Sequence, residues 1–318
     1  MTDAVSSDRK NWLLVVAIPA LNEVESIRAT VVGVAGIRAA LVERGIRLQV
    51  FVIDDGSQDD TARVAAEAGA DRIITHTRRR GLGAAVRSGL EAAVDADADI
   101  AVKFDADLQH DPSDILRIIQ PILDDQADLV YGERFSRISY KMPLVRRWGN
   151  WVFRELLRRL TGWEILDSQP GIFAASRHYI EQFDLPGDYN YTQQILLDAF
   201  LKGMRFKQVS VSFNRRTTGR SFVSMSYPFK VLWQIVLVIA ITRPMKIFGT
   251  SGAAFLLLSI TIFLVQVVSW LLGHDSRPVE NVNLVLGAGL FGLQLLLFGI
   301  LAQMIVLTRA PRRRDRER

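Results

Sequence analysis

Two long runs near the C-terminus contain no charged residue, and they fix the gross plan of the chain before any motif is considered. Residues 247–272 read IFGTSGAAFLLLSITIFLVQVVSWLL and residues 284–307 read LVLGAGLFGLQLLLFGILAQMIVL. Each exceeds the roughly 20 apolar residues that a helix needs to cross the hydrocarbon core of a bilayer. Only a short polar loop, 273–283, separates them, so the expectation is a hairpin of two transmembrane helices. The loop holds a single cation, Arg277, whereas Arg243 and Lys246 precede the first run and Arg309, Arg312, Arg313, Arg314, Arg316 and Arg318 follow the second. Lys and Arg collect on the cytoplasmic side of short flanks. A multi-pass protein of the cell membrane is therefore expected, with residues 1–224 and both termini in the cytoplasm and 308–318 as a basic tail.

The formal net charge of +5 is concentrated beside these runs. Anionic membrane lipids are its natural partner, and nucleic acid is not expected. Cysteine is absent, which fits a reducing compartment. The first apolar run, 12–20, is too short for a secretory leader and contains Pro19, so it reads as a strand. Between the domain and the spans, residues 225–246 include the apolar stretch 231–242, broken only by Gln234 and followed by Arg243-Pro244. Too short to cross, it is expected to lie in the interface with Trp233 as an anchor.

Upstream, apolar strand patterns at 12–18, 48–53, 72–75, 100–104 and 129–131 alternate with helical patterns at 24–44, 61–68, 84–94 and 113–123. That order specifies an α/β domain, a mainly parallel sheet with helices on both faces. Ligands of such sheets sit at the C-terminal ends of the strands, and there this sequence concentrates its chemistry. The fourth strand runs into Phe104-Asp105-Ala106-Asp107-Leu108-Gln109-His110. Two carboxylates one residue apart can hold a hard divalent cation that completes its octahedron with water and phosphate oxygens. The first strand exits through Ile18-Pro19-Ala20-Leu21-Asn22-Glu23, where Asn22 is suited to capping the next helix. The second exits through Ile53-Asp54-Asp55-Gly56-Ser57-Gln58-Asp59-Asp60, whose acids can accept from a nucleobase or ribose or favour a helix N-terminus.

A third loop, Arg78-Arg79-Arg80-Gly81-Leu82-Gly83-Ala84, sets cations and small residues before a helix, a construction suited to diphosphate. It is not a dinucleotide fingerprint, because the third glycine is absent and the acidic strand end precedes it.

The ordered series IPALNE, VIDDGSQDDT, RRRGLGAAVRSG, FDADLQHDP, VYGERF and NRRTTGRSF over residues 12–224 resembles the family-2 glycosyltransferases of the dolichol-phosphate mannose synthase type. The C-terminal hairpin resembles that of the bacterial polyprenyl-phosphate branch. The resemblance implies a GT-A-like fold, a nucleotide-sugar donor, a polyprenyl-phosphate acceptor and Mg2+ or Mn2+ as cofactor. By position it implies that Pro19, Glu23, Ile53 and Asp55 embrace the nucleoside and that Asp105, Ala106 and Asp107 meet the donor diphosphate. It also implies Asp105, Asp107 and Gln109 as metal ligands, and Arg134 and Arg216 as cations near the phosphates. Arg216 belongs to a loop, 217–221 through Ser221, expected to close over the donor. Asp167 matches an acid near the sugar, and with Asp107 and Arg216 it is assigned to catalysis. The pattern departs at Leu21, where many relatives have Tyr, at Phe222, where many have Lys, and at Gln169-Pro170-Gly171, which replaces Thr-Ser-Gly.

Arg134, Arg137, Lys141, Arg146, Arg147, Arg154, Arg158 and Arg159 interleave with Trp148, Trp151 and Phe153. A helix over about 144–160 would set a basic, aromatic face at the membrane surface, and Arg146 and Arg147 are accordingly assigned to the acceptor; Ser221 is also assigned to the acceptor. The expected reaction inverts the anomeric centre as one sugar moves to polyprenyl phosphate. A processive polysaccharide synthase is the rival, weakened by the missing Gln-x-x-Arg-Trp motif, and a non-catalytic membrane scaffold is another. A homo-oligomer is compatible with the sequence, which names neither the sugar nor the base.

Overall fold

The computed structural model describes residues 11–134, 154–155, 157–159, 161–185, 191–213 and 244–308. They form two compact units, one within residues 11–213 and one within 244–308.

The first unit is built on β1 (Trp12–Ala20), whose residues are almost all buried because they alternate between two covered faces. Leu14, Val16 and Ile18 join one core with Ile27, Val31 and Val34 of α1 (Ile27–Gly36) and Ile115, Ile118 and Ile122 of α5 (Asp114–Leu123). On the other face, Ala17 and Ile53 abut Gly89 of α4 (Leu82–Asp95). The remaining elements of this half are α2 (Arg38–Val42), β2 (Ile46–Asp54), α3 (Thr61–Glu67), β3 (Arg72–Thr75), β4 (Ile100–Lys103) and β5 (Leu129–Glu133). The single helix expected over 24–44 is broken at Ile37, which caps α1 and starts α2.

Two strands lie outside the expected set, β6 (Phe173–Ser176) and β7 (Phe206–Ser210), together with α6 (Arg177–Ile180) and α7 (Tyr191–Leu201). The sheet order is β3-β2-β1-β4-β6-β5-β7. All neighbours run parallel except at β6, which pairs antiparallel with both β4 and β5. The sheet is thus mixed and mainly parallel, with helices on both faces. Successive strands β1, β2 and β3 step one way, and β4 then crosses to the other side of β1. That reversal opens a crevice at the C-terminal ends of β1 and β4. Strand β6 pairs Phe173 with Lys103 and so delivers the preceding loop, 167–172, to the same place.

The second unit contains a π-helical turn (Met245–Gly249), α8 (Thr250–Leu271) and α9 (Val282–Thr308). Both helices are long and apolar enough to cross a membrane. They meet through glycine: a Cβ on Gly252 would lie 2.7 Å from the Gly292 carbonyl oxygen, and one on Gly292 would lie 2.8 Å from that of Gly252. Small residues let apolar helices approach this closely where no hydrophobic force joins them. Gln266 Oε1 accepts from the Glu280 and Asn281 N–H groups at 2.8 Å each, satisfying donors where α9 begins. Most of residues 225–246, expected as the interfacial helix, and the tail beyond Thr308 lie outside the described residues.

Candidate active site

A cleft of about 450 Å³ opens at the crevice, a size suited to a small ligand. It is lined by Pro19, Ala20, Leu21 and Glu23 after β1, Asp55 after β2, Arg79, Leu82 and Ala85 around the start of α4, and Asp105, Ala106 and Asp107 after β4. Most of the residues expected at the donor therefore converge on one wall. Among the described residues Ile53 and Arg134 are not in this lining: the Ile53 side chain is fully buried against α4, and Arg134 is paired with Asp167.

The loops forming this cleft are tied to one another. Asn22 adopts a left-handed backbone with φ of 54°, which Asn tolerates. Its N–H donates to Ser57 Oγ at 2.9 Å and its Oδ1 accepts from the Gln58 N–H at 2.9 Å. It does not cap α1, as the sequence suggested; the N-cap is Ser26, without a side-chain capping bond. Glu23 N–H donates to Thr61 Oγ1 at 2.9 Å, and Ser26 Oγ donates to Glu23 Oε2 at 2.7 Å. These bonds hold the β1 and β2 exits as one surface.

Buried Asp55 organises the arginine loop. Its Oδ1 and Oδ2 accept from the N–H groups of Arg80 and Gly81, each at 2.8 Å, and His76 Nδ1 lies 2.8 Å from Oδ1. His76 Nε2 in turn lies 3.0 Å from Ser88 Oγ on α4. Two backbone donors that the sequence offered to a diphosphate are thus engaged by the protein itself, and Arg79 is the one of the loop's three arginines that lines the cleft. Nothing in the motif singled out Arg79 among three adjacent arginines.

At the end of β4 the chain turns through Leu108 with φ of 59°, a strained conformation for a side chain of that size. Asp107 Oδ1 accepts from the Gln109 N–H at 3.2 Å within this turn. Asp105 faces the buried Lys103, whose Nζ lies 2.5 Å from Oδ1 and donates to the Gly171 carbonyl at 2.8 Å. Although burial opposes it, Asp105 beside the ammonium, with Tyr191, holds the Lys103 pKa above the usual lysine value. Lys103 was not singled out from sequence, since it reads as an ordinary strand residue.

His110 is buried between the rings of Phe104 and Phe213, and neither nitrogen has a hydrogen-bond partner. The Ser212 backbone slightly favours its charged form without reaching hydrogen-bond geometry. Burial dominates and lowers its pKa to about 4; the charge of Asp105 opposes this, and those of Lys103 and Arg134 reinforce it.

Asp167 is also buried, and its carboxylate is fully engaged. Arg134 Nε donates to Oδ2 at 2.7 Å and Nη2 to Oδ1 at 3.3 Å, while the Gln169 N–H donates to Oδ1 at 2.9 Å. Arg134 Nη2 also donates to the Gln169 carbonyl at 2.6 Å, and the guanidinium stands 5.1 Å from the Phe213 ring centroid. Gln208 of β7 fixes the loop from below, donating to the Asp167 carbonyl at 2.6 Å.

Asp105 and Asp107 offer hard oxygen donors in one cleft. Among the described residues no group of three or more His, Cys, Asp or Glu gathers around a common point. That donor set fits Mg2+ or Mn2+, which bind through one or two carboxylates and draw their other ligands from water and phosphate. Arg146, Arg147, Arg216 and Ser221 lie outside the described residues. Of the basic cluster, Arg154, Arg158 and Arg159 are described besides Arg134, these three all helical, with Arg158 and Arg159 exposed and paired with Glu155.

The sequence model of Glycosyl transferase family 2 matches residues 15–183. The dodecaprenyl-phosphate galacturonate synthase of Rhizobium johnstonii is 28% identical over 307 residues, 93% of this chain and 88% of that protein. The undecaprenyl-phosphate 4-deoxy-4-formamido-L-arabinose transferase of Klebsiella pneumoniae is 27% identical over 296 residues, 91% of this chain and 87% of that protein. Among solved structures, glucosyl-3-phosphoglycerate synthase of Mycobacterium tuberculosis, in complex with Mg2+ and uridine diphosphate, superposes with a TM-score of 0.57. It is 22% identical, covering 72% of this chain and 78% of that one, a likeness of fold.

Proposed function

Since the chain belongs to glycosyl transferase family 2 and is a glycosyltransferase, we propose that it transfers one sugar from a UDP- or GDP-sugar to polyprenyl phosphate, with inversion, at the cytoplasmic membrane face. The observation that carries the donor half is the cleft itself, where Asp105 and Asp107 share a wall with Pro19, Glu23, Asp55 and Arg79. The acceptor half is supported by the two polyprenyl-phosphate relatives, which align over nearly the whole chain, and by two helices fit to cross a membrane.

Pro19, Glu23 and Asp55 take the nucleoside side of the cleft, and Asp105, Ala106 and Asp107 the diphosphate side. Asp105, Asp107 and Gln109 would hold a divalent cation, which when bound would supply Lewis-acid neutralisation of the leaving diphosphate. The acceptor is a phosphate monoester with a second pKa near about 6, so its attacking oxygen is already largely anionic at neutral pH. A strong general base is unnecessary, which agrees with a carboxylate of Asp167 committed to Arg134 and Gln169. Asp167 orients Arg134, whose guanidinium is held in advance and needs no reorganisation as charge develops on the leaving group. Arg216 is assigned the same task from the loop at 217–221, and Arg146, Arg147 and Ser221 the acceptor phosphate. The spans and the basic tail attach the enzyme to lipid.

The test is to incubate the full chain with Mn2+, polyprenyl phosphate and radiolabelled UDP- and GDP-sugars. Label in a lipid-linked monosaccharide is expected. Label in polymer establishes the processive synthase instead, and no transfer from any donor overturns the proposed reaction.

A further inference from the structure

Lys103 is the most deeply buried cation in the described part of the cleft region, and the mechanism above gives it no task. Its side chain is 2% exposed, and Nζ bridges Asp105 Oδ1 at 2.5 Å and the Gly171 carbonyl at 2.8 Å. Tyr191 covers it, with the ammonium 5.6 Å from the ring centroid. A charge so enclosed is retained only where its partner offsets the desolvation it suffers, so the pairing with Asp105 is a fixed part of the site. One oxygen of the first carboxylate in the Asp-x-Asp pair is therefore committed inside the protein, leaving Oδ2 for anything outside.

We propose that Lys103 is a positioning residue that aims Asp105 and deliberately weakens its hold on the divalent cation, while tying the 167–172 loop to the metal-binding turn. This rests on the proposed role of Asp105 and Asp107 as metal ligands. The ammonium neutralises part of the acidic pair, so the cation is drawn in strongly only when a diphosphate adds its own negative charge. Metal and donor then arrive together, and both leave together once transfer is complete.

The test is direct Mn2+ titration of the full-length protein, read by the paramagnetic resonance of free Mn2+, with no nucleotide, with UDP and with GDP. Lys103→Gln retains an amide that can donate to the Gly171 carbonyl but loses the charge; Lys103→Met loses both; Lys103→Arg retains the charge. The nucleotide-free protein is expected to bind Mn2+ about tenfold more tightly in the Gln and Met variants, the order Coulomb's law gives for losing a unit charge across a shared carboxylate even in a water-like dielectric. The advantage that nucleotide confers on Mn2+ binding should shrink correspondingly. Lys103→Arg should stay near the native affinity. A generally damaged site would bind metal more weakly, so tightening is a signature that a purely structural role does not produce. Unchanged or weaker Mn2+ binding in Lys103→Gln, with native binding intact, overturns the inference. Absence of Mn2+ binding by the native protein with either nucleotide overturns the metal-site reading and the inference with it.

Discussion

A methyl group placed on Gly171 would overlap His110 at Nε2 and lie 3.0 Å from Asp105 Oδ2. The loop backbone therefore packs directly against the imidazole, in a space created by antiparallel pairing of β6 with β4. Gly171→Ala must displace His110, Asp105 or the loop itself. Overpacking of this kind costs about 1–3 kcal/mol of stability. Transfer should also fall by about tenfold or more, the effect of roughly 1.4 kcal/mol on the barrier. Thermal melts and steady-state kinetics check both. His110→Ala in the same chain should recover the stability, with a coupling of about 1 kcal/mol or more; simple additivity would show that the close approach is not the cause.

His110 also predicts an acid-labile fold. Burial first, with Lys103 and Arg134 behind it, lowers its pKa to about 4, against about 6.5 in an unfolded chain. A depressed histidine is neutral in the native state, so unfolding takes up a proton below the unfolded value. Stability from this group is whole above about pH 6.5 and declines as pH falls toward 4, by about 2 kcal/mol at pH 5. Chemical denaturation across that range should show the decline in the native chain and a flatter profile in His110→Phe, whose ring suits the setting of Phe104 and Phe213. Parallel profiles would remove His110 as the source.

Asp107→Ala should reduce transfer by about a thousandfold, corresponding to roughly 4 kcal/mol, and leave the melting profile near native, because the side chain lines the cleft and not the core. Substantial turnover at saturating donor and Mn2+ would refute the metal-site assignment.

The strands that the sequence made legible are those with continuous or alternating β-branched runs, such as Val50 to Ile53 and Ile100 to Val102, buried on both faces. Strand β6 reads Phe-Ala-Ala-Ser, with neither β-branched residues nor alternation, and it forms because β4 and β5 offer it two open edges. The Asp-x-Asp turn and the β1 and β2 exits were legible as chemistry because carboxylates and proline stood at strand ends. What the sequence could not reveal is pairing: that Asp55 is bound to the Arg80 and Gly81 amides, that Asp167 clasps Arg134, and that Lys103 faces Asp105. Each joins residues brought together by tertiary structure or by a turn, where no local pattern records the contact.

The last prediction separates acceptor from donor. If Arg146 and Arg147 receive the lipid phosphate, then the double replacement Arg146→Ala with Arg147→Ala should raise KM for polyprenyl phosphate by about tenfold, the effect of roughly 1.4 kcal/mol, with KM for the nucleotide sugar nearly unchanged. Binding energy common to ground and transition states appears in KM, whereas contacts made only as charge develops appear in kcat. Arg216→Ala, by contrast, should lower kcat with little change in the acceptor KM, because its charge is assigned to the departing diphosphate. A lipid-free titration with the nucleotide provides the independent reading. Loss of nucleotide binding in the double variant would move Arg146 and Arg147 to the donor side of the site and end their assignment to the acceptor.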